Sequence, residues 1–315
     1  MSSVVPISAG SLNPAASAPS TAVASPFVQR LCDYRQMARP RIMVMSAAAV
    51  VAGFLLASPI VVSWQVMAVA VVGICCLVAA SSILNQVIEA RTDRVMNRTA
   101  DRPVASGRLS RKEAAVFGGL LSVTGALLLA GYVNGLTSVA AFLTMLTYVL
   151  LYTPLKRMTS LCTTVGAVPG AMPPVLGWFA AGGEAGVEAF AMFAVFFVWQ
   201  FPHFLAIGWI YREDYQNAGL RMLPSFQDEG RRTGWIALTY AIAFVPVSCL
   251  PRFVGLAGPG YLGAALILSA GYLWLTARFF AVRNNERARQ LMAGSLICLP
   301  VLLICLVADY LRLVS

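Results

Sequence analysis

Residues 66–103 read VMAVAVVGICCLVAASSILNQVIEARTDRVMNRTADRP, and this stretch decides the fold. Its first part, 66–88, is an apolar run broken only by Ser, Asn and Gln. At about 1.5 Å per helical residue, such a run crosses a hydrocarbon core about 30 Å thick. The polar text that follows then begins where that helix leaves the lipid.

Eight more runs of the same kind lie at 42–62, 114–132, 136–153, 163–181, 189–210, 235–254, 261–280 and 291–311. With 59% hydrophobic and 11% charged residues in 315, the chain has too little polar surface for a water-soluble ball, whose usual shares are about 45–50% and about 25%. The same composition excludes disorder and a disulfide-stapled secreted domain. The apolar runs are continuous rather than alternating, which excludes a β-barrel and leaves helices, the other structure that satisfies its own backbone in lipid. The expectation is an all-α integral membrane protein with nine transmembrane helices, residues 29–315 forming one domain behind a flexible, charge-free tail over 1–28. The tail lacks the basic start and unbroken apolar core of a secretory signal, and lacks the arginines of a transit peptide.

The loops joining these runs are unequal. Residues 58–64, 132–136 and 182–186 are short and plain, whereas 89–113 and 211–233 are crowded with ionisable groups. Of the 23 Lys and Arg, 21 fall on one side of the expected topology, with only Arg252 and Arg312 on the other. By the positive-inside rule the N-terminus is cytoplasmic and the C-terminus outside, in a bacterial inner membrane. The net charge of +10 is thereby a consequence of topology, and nucleic-acid binding does not follow from it. The seven cysteines have no metal-type spacing and read as small apolar residues.

In the loop after the second run, Asn85, Glu89 and Asp93 stand at i, i+4 and i+8, which places three oxygen-bearing side chains on one helical stripe. That stripe suits a hard cation such as Mg²⁺, which commonly completes its shell with substrate phosphate oxygens. Arg94, Arg98 and Arg102 follow at the same spacing, and guanidinium forks suit the phosphates of a Mg–diphosphate. The second crowded region, 197–224, holds the chain's one histidine, His203, next to Pro202 within an apolar run, with Glu213 and Asp214 beyond it. Ionisable residues inside a membrane are costly and mark function. Between the two regions, YTPLKR (152–157) ends a run at Pro154, and GAVPGAMPPVLGW (166–178) puts three prolines into one span, which points to a bent helix lining an internal chamber.

The pattern Asn85, Glu89, Asp93, Met96, Arg98, Thr99, Arg102, Pro103 resembles the first acidic motif of the UbiA-type intramembrane prenyltransferases. With Glu in its second position, and with YTPLKR, GAVPGAMPP and WQFPHFLAIGWIYREDYQNAG in the same order, the likeness is to the branch that farnesylates protohaem IX, over about 270 residues from Arg39 onward. The resemblance implies a nine-helix bundle whose central chamber opens to the lipid bilayer. It implies farnesyl transfer from farnesyl diphosphate to the C2 vinyl group of haem B, a substrate, with hydration to haem O. By the same likeness Asn85, Glu89 and Asp93 bind Mg²⁺, with Asp214 as a further metal candidate. Arg98, Arg102, Lys156 and Arg157 hold the diphosphate, and His203 is the haem-side candidate. The superfamily's second Asp-rich motif is sparser here, a His and the acidic pair Glu213 and Asp214 standing in its place, so the resemblance does not carry a complete second metal site. A haem A synthase is the partner that such a product implies. Two other readings remain: a prenyltransferase acting on a quinone precursor or pigment, and a secondary transporter, which nearly all the acids at one membrane edge disfavour.

Overall fold

The structure, a computed structural model, describes residues 25–58, 61–223 and 230–314. All but the end of the expected tail lies outside the described residues, and residues 26–28 already belong to a helix. Among the described residues the regular structure is all helix, with no strand. In chain order they form α1 (Pro26–Ala38), α2 (Pro40–Leu56), α3 (Trp64–Asp93), α4 (Arg111–Tyr132), α5 (Gly135–Leu146), a π-helical stretch (Thr147–Tyr152), α6 (Thr153–Leu155), α7 (Cys162–Ala180), α8 (Val187–Ile210), α9 (Arg212–Asn217), α10 (Arg231–Phe253), α11 (Pro259–Ala281) and α12 (Asn285–Val314).

Local chemistry sets several of these boundaries. Ser110 accepts from the backbone N–H of Glu113, and Asn134 from that of Thr137, each side chain capping the orphan donors of the helix it precedes. Arg39 breaks α1 from α2. Its φ of 53° is left-handed, the residue after it is Pro40, and the two helices meet at a 50° bend. A proline disfavours the α region for the residue before it, so the break is written locally. At the other end of the chain, the Asp309 carboxylate on α12 accepts from the N–H groups of Gly258 and Tyr261 at 2.6 and 3.0 Å, capping α11 from a different helix.

The long helices pack in chain order, each against the next, and α12 returns to α2. Several apolar clusters result, two of them large. One is built from α2 to α7 around Phe54, Ile74 and Leu129, the other largely from α8 to α12 around Phe244, Tyr272 and Phe279. Between them α2 and α7 press together through reciprocal glycines. A Cβ added at Gly53 would lie 1.8 Å from the Pro174 carbonyl oxygen, and one at Gly177 would lie 2.0 Å from that of Val50. Small residues are what permits backbones to meet this closely where lipid offers no hydrophobic drive.

Among the described residues seven helices are long and apolar enough to cross a membrane, counting 135–155 as one, and the bent pair of α1 and α2 makes eight. The ninth expected span is α7. It forms as a helix despite Pro169, Pro173 and Pro174, but its prolines, glycines and threonines dilute its hydropathy, and it does not pass as a span on length and composition. An apolar groove of about 370 Å³ lies between α4 and α5, lined by Val123, Leu127 and Phe142. It is not the central chamber expected from the proline-rich stretch.

Gly53→Ala and Gly177→Ala should each lower the thermal stability of the detergent-solubilised protein, by about 1–3 kcal/mol from overpacking. Gly119→Ala on α4, where a new Cβ meets nothing within 4 Å, should be silent. Equal melting of all three variants would show that the α2–α7 crossing is not held at glycine distance.

Candidate active site at the polar end of the bundle

The last turns of α3 carry the stripe. Asn85, Glu89 and Asp93 are all buried, and they face into the protein rather than toward lipid. What they meet comes from two other segments.

The first is the end of the span 135–155. Pro154 has no N–H to donate back along the helix, and the turn before it widens into the π-helical stretch. Thr153 then donates from Oγ1 to the Tyr148 carbonyl at 2.9 Å while accepting from Asn85 Nδ2 at 3.0 Å. This turn carries Lys156 to α3, where Nζ lies 2.8 Å from Glu89 Oε1 and 4.4 Å from the centre of the Tyr152 ring. Gly166 on α7 leaves room for Tyr152, since a Cβ there would sit 2.5 Å from the ring. Burial works against the Lys156 ammonium, yet Tyr152 and Glu89 outweigh it and hold its pKa above the ordinary lysine value. Arg157, exposed, donates to Thr92 Oγ1.

The second segment is 94–110, a compact run of turns whose Val104, Ala105 and Leu109 are buried, Val104 and Leu109 packing in one cluster with Met37 of α1. Thr99 Oγ1 donates to the Asp93 carbonyl at 3.0 Å, which folds the chain back over the end of α3. Arg102 thereby reaches both Asp93 carboxylate oxygens at 2.8 Å. Burial, and then the nearby Arg39 guanidinium, push the Arg102 pKa below its ordinary value, with Arg98 adding in the same direction. Asp33 on α1 anchors the far side of the loop through Arg108 at 2.8 Å.

Two buried ion pairs therefore occupy the stripe, Glu89–Lys156 and Asp93–Arg102. Among the described residues no three His, Cys, Asp or Glu side chains converge as a metal cluster. A hard cation still finds oxygen here, because Asn85 Oδ1 is buried and has no hydrogen-bond partner. An orphaned amide oxygen one helical turn from the Glu89 carboxylate fits a divalent ion that takes the rest of its shell from phosphate and water.

The other expected site residues lie apart from this stripe. Asp214, in α9, accepts from Asn97 Nδ2 and from the Arg98 N–H. Glu213 is exposed and pairs loosely with Arg212 at 3.5 Å. His203 is buried on α8 with Nδ1 2.6 Å from Ser295 Oγ of α12, and its ring stacks on Trp199. Thr92, Asn97, Tyr152 and Thr153 join the site without having been singled out as site residues. Tyr152 and Thr153 stand within YTPLKR, whose signal lay in the cations, and Thr92 and Asn97 are uncharged residues inside the Arg- and Asp-rich stretch.

The profile of the UbiA prenyltransferase family matches residues 46–299. The chain is 40% identical over 255 residues to the protoheme IX farnesyltransferase of Koribacter versatilis, covering 79% of this chain and 82% of that one. It is 38% identical to that of Solibacter usitatus, over 86% and 96% of the two chains. Among solved structures, one of digeranylgeranylglyceryl phosphate synthase superposes with a TM-score of 0.75 at 17% identity, over 90% of this chain and 99% of that one. A UbiA homologue from Archaeoglobus fulgidus bound to GPP and Mg²⁺ superposes with a TM-score of 0.63 at 16% identity, over 88% and 99%. At such identities the structural likeness speaks for the fold.

Lys156→Met should destabilise the protein by about 3 kcal/mol or more, because it leaves Glu89 charged and buried without a partner. The double variant Glu89→Gln/Lys156→Met removes both charges and should recover most of that loss while remaining inactive. Thermal denaturation in detergent checks this, and a double variant no better than the single one would mean that the two groups do not act as a buried pair.

Proposed function

Since the chain belongs to the UbiA prenyltransferase family, and within it to the protoheme IX farnesyltransferases, we propose that it transfers the farnesyl group of farnesyl diphosphate to the C2 vinyl group of haem B. The farnesyl C–O bond breaks and diphosphate leaves with the electron pair. A new C–C bond forms from the vinyl carbons, and water adds its hydroxyl with loss of a proton, giving haem O. The protein is a prenyltransferase and a multi-pass membrane protein. The names of its relatives favour haem over a quinone precursor as acceptor, and favour an enzyme over a transporter.

The single observation that carries the mechanistic reading is the buried stripe of Asn85, Glu89 and Asp93 set against Lys156 and Arg102. We assign Asn85, Glu89 and Asp93 to Mg²⁺. When bound, the ion supplies Lewis-acid stabilisation of the leaving diphosphate. Arg98, Arg102, Lys156 and Arg157 receive the diphosphate oxygens, so that cations already gathered at the rim meet the charge that develops there. The farnesyl tail lies below, in a chamber among the helices that opens toward the bilayer and keeps water from the prenyl cation until the vinyl group meets it. His203 is the haem-side residue. Its Nδ1 is engaged by Ser295, so Nε2 is the nitrogen that an iron or a haem edge can meet. With the basic loops facing the cytoplasm, the reading places the enzyme in a bacterial inner membrane, its N-terminus inside and its C-terminus outside, handing product to a haem A synthase.

Purified protein given haem B, farnesyl diphosphate and Mg²⁺ should form a farnesylated, hydrated haem by mass spectrometry, and chelation of the metal should stop it. Asp93→Ala should abolish product while the protein still folds, and full turnover in that variant would refute the assignment. His203→Ala should change the Soret spectrum of bound haem; an unchanged spectrum with normal turnover removes His203 from the haem site.

A further inference from the structure

Asp214 enters the expected metal set on resemblance alone, yet in the fold both of its carboxylate oxygens are turned to the loop after α3. Oδ1 accepts from Asn97 Nδ2 at 3.2 Å, and Oδ2 accepts from the backbone N–H of Arg98 at 3.3 Å. The tyrosines around Asp214 complete the contact. The Arg98 guanidinium carbon lies 4.7 Å from the centre of the Tyr211 ring and 5.9 Å from that of Tyr215, and Arg98 donates to the Tyr215 hydroxyl at 3.3 Å. The same polar segment is tied a second time, because the Arg221 N–H donates to the carbonyl of Lys156 at 2.8 Å. The loops after α3 and α8, more than a hundred residues apart in sequence, are thus joined at one place, with Arg98 at the junction.

An exposed arginine is a poor phosphate ligand when it must first give up its rotamer freedom, and a planar guanidinium held against aromatic side chains has already done so. We propose that Asp214 and Asn97 are positioning residues: they latch the loop 94–110 onto α9 so that Tyr211 and Tyr215 hold Arg98 ready for the diphosphate. Asp214 then serves the reaction through Arg98 and not as a metal ligand. The inference rests on the assignment of Arg98 to the diphosphate made above.

The test uses the full-length protein in detergent, with inorganic diphosphate plus Mg²⁺ as the probe. Asn97→Ala removes one half of the latch without touching a carboxylate, and Asp214→Asn weakens both halves. Each should speed amide hydrogen exchange at Arg98 by about tenfold. Each should also weaken diphosphate binding by about tenfold, as lost preorganisation does, seen in turnover as a raised KM for farnesyl diphosphate with kcat little changed. The Mg²⁺ concentration for half-maximal turnover should stay at the wild-type value. Asn217→Ala, on an exposed position of α9, should match wild type in every measurement. Wild-type exchange and affinity in Asn97→Ala overturn the proposal, and so does an Asp214→Asn variant that needs more Mg²⁺ while Arg98 exchange is unmoved. Faster exchange with unchanged affinity overturns it as well. In that case Arg98→Ala locates the failure: unchanged affinity there means that Arg98 does not meet diphosphate, and lost affinity means that Arg98 works without its latch.

Discussion

A carboxylate buried where a membrane helix ends has to meet a cation, since an unpaired charge there costs several kcal/mol. Glu89 and Asp93 obey this with cations from two different segments, Lys156 and Arg102. The pairing does more than neutralise charge. It fixes the end of the span 135–155 and the loop 94–110 on either side of α3, and so defines the mouth of the bundle. The cluster of two acids and two bases carries no net charge. A cation entering alone would strand Lys156 and Arg102, and an anion entering alone would strand Glu89 and Asp93. On the proposed assignment, a divalent ion and a diphosphate arriving together would exchange partners with both sets at once, which would make their joint binding the favourable one.

The gross architecture is legible because lipid demands continuity. The run read at 66–88 is α3, and α3 runs on to Asp93 because the stripe at spacing four is itself a helical pattern. Where reading from sequence fell short, the cause was contact between remote residues. YTPLKR reads as a helix stopped at Pro154. In the fold the turn widens at 147–152 and helix continues to Leu155, because the Tyr148 carbonyl is taken by Thr153, which in turn is held by Asn85 from α3. The first residues of α1 read as tail, since its amphipathic turns are short and Arg39 ends them. Its footing on Arg108 is invisible to local pattern, with 75 residues between Asp33 and its partner.

The site residues divide in the same way. Spacing alone identifies Asn85, Glu89 and Asp93 as a group, because all three ride one helix. It cannot show that Asp214 faces Asn97, which depends on how the bundle brings α9 beside the loop after α3. Glycine plays the corresponding part in the core. The prolines of α7 draw attention to a bent helix, but only the fold shows that the Pro174 carbonyl lies where nothing larger than the hydrogen of Gly53 could stand opposite it, so that one face of the span packs closely against α2.

Depth then orders the chemistry. α9 follows α8 directly, and its Asp214 touches residues 97 and 98, so α8 and α3 end at the same level. His203 precedes the end of α8 at Ile210 by two helical turns, which sets it about 10 Å below that level. A haem held there lies beneath the arginines, in the apolar part of the bundle. In the proposed reaction the diphosphate would leave toward the charged rim while the prenyl cation would face the apolar part of the bundle. Separating the two charges along the bundle axis, as the proposed reaction requires, would let one fold stabilise an anion at its mouth and keep water from a cation below it.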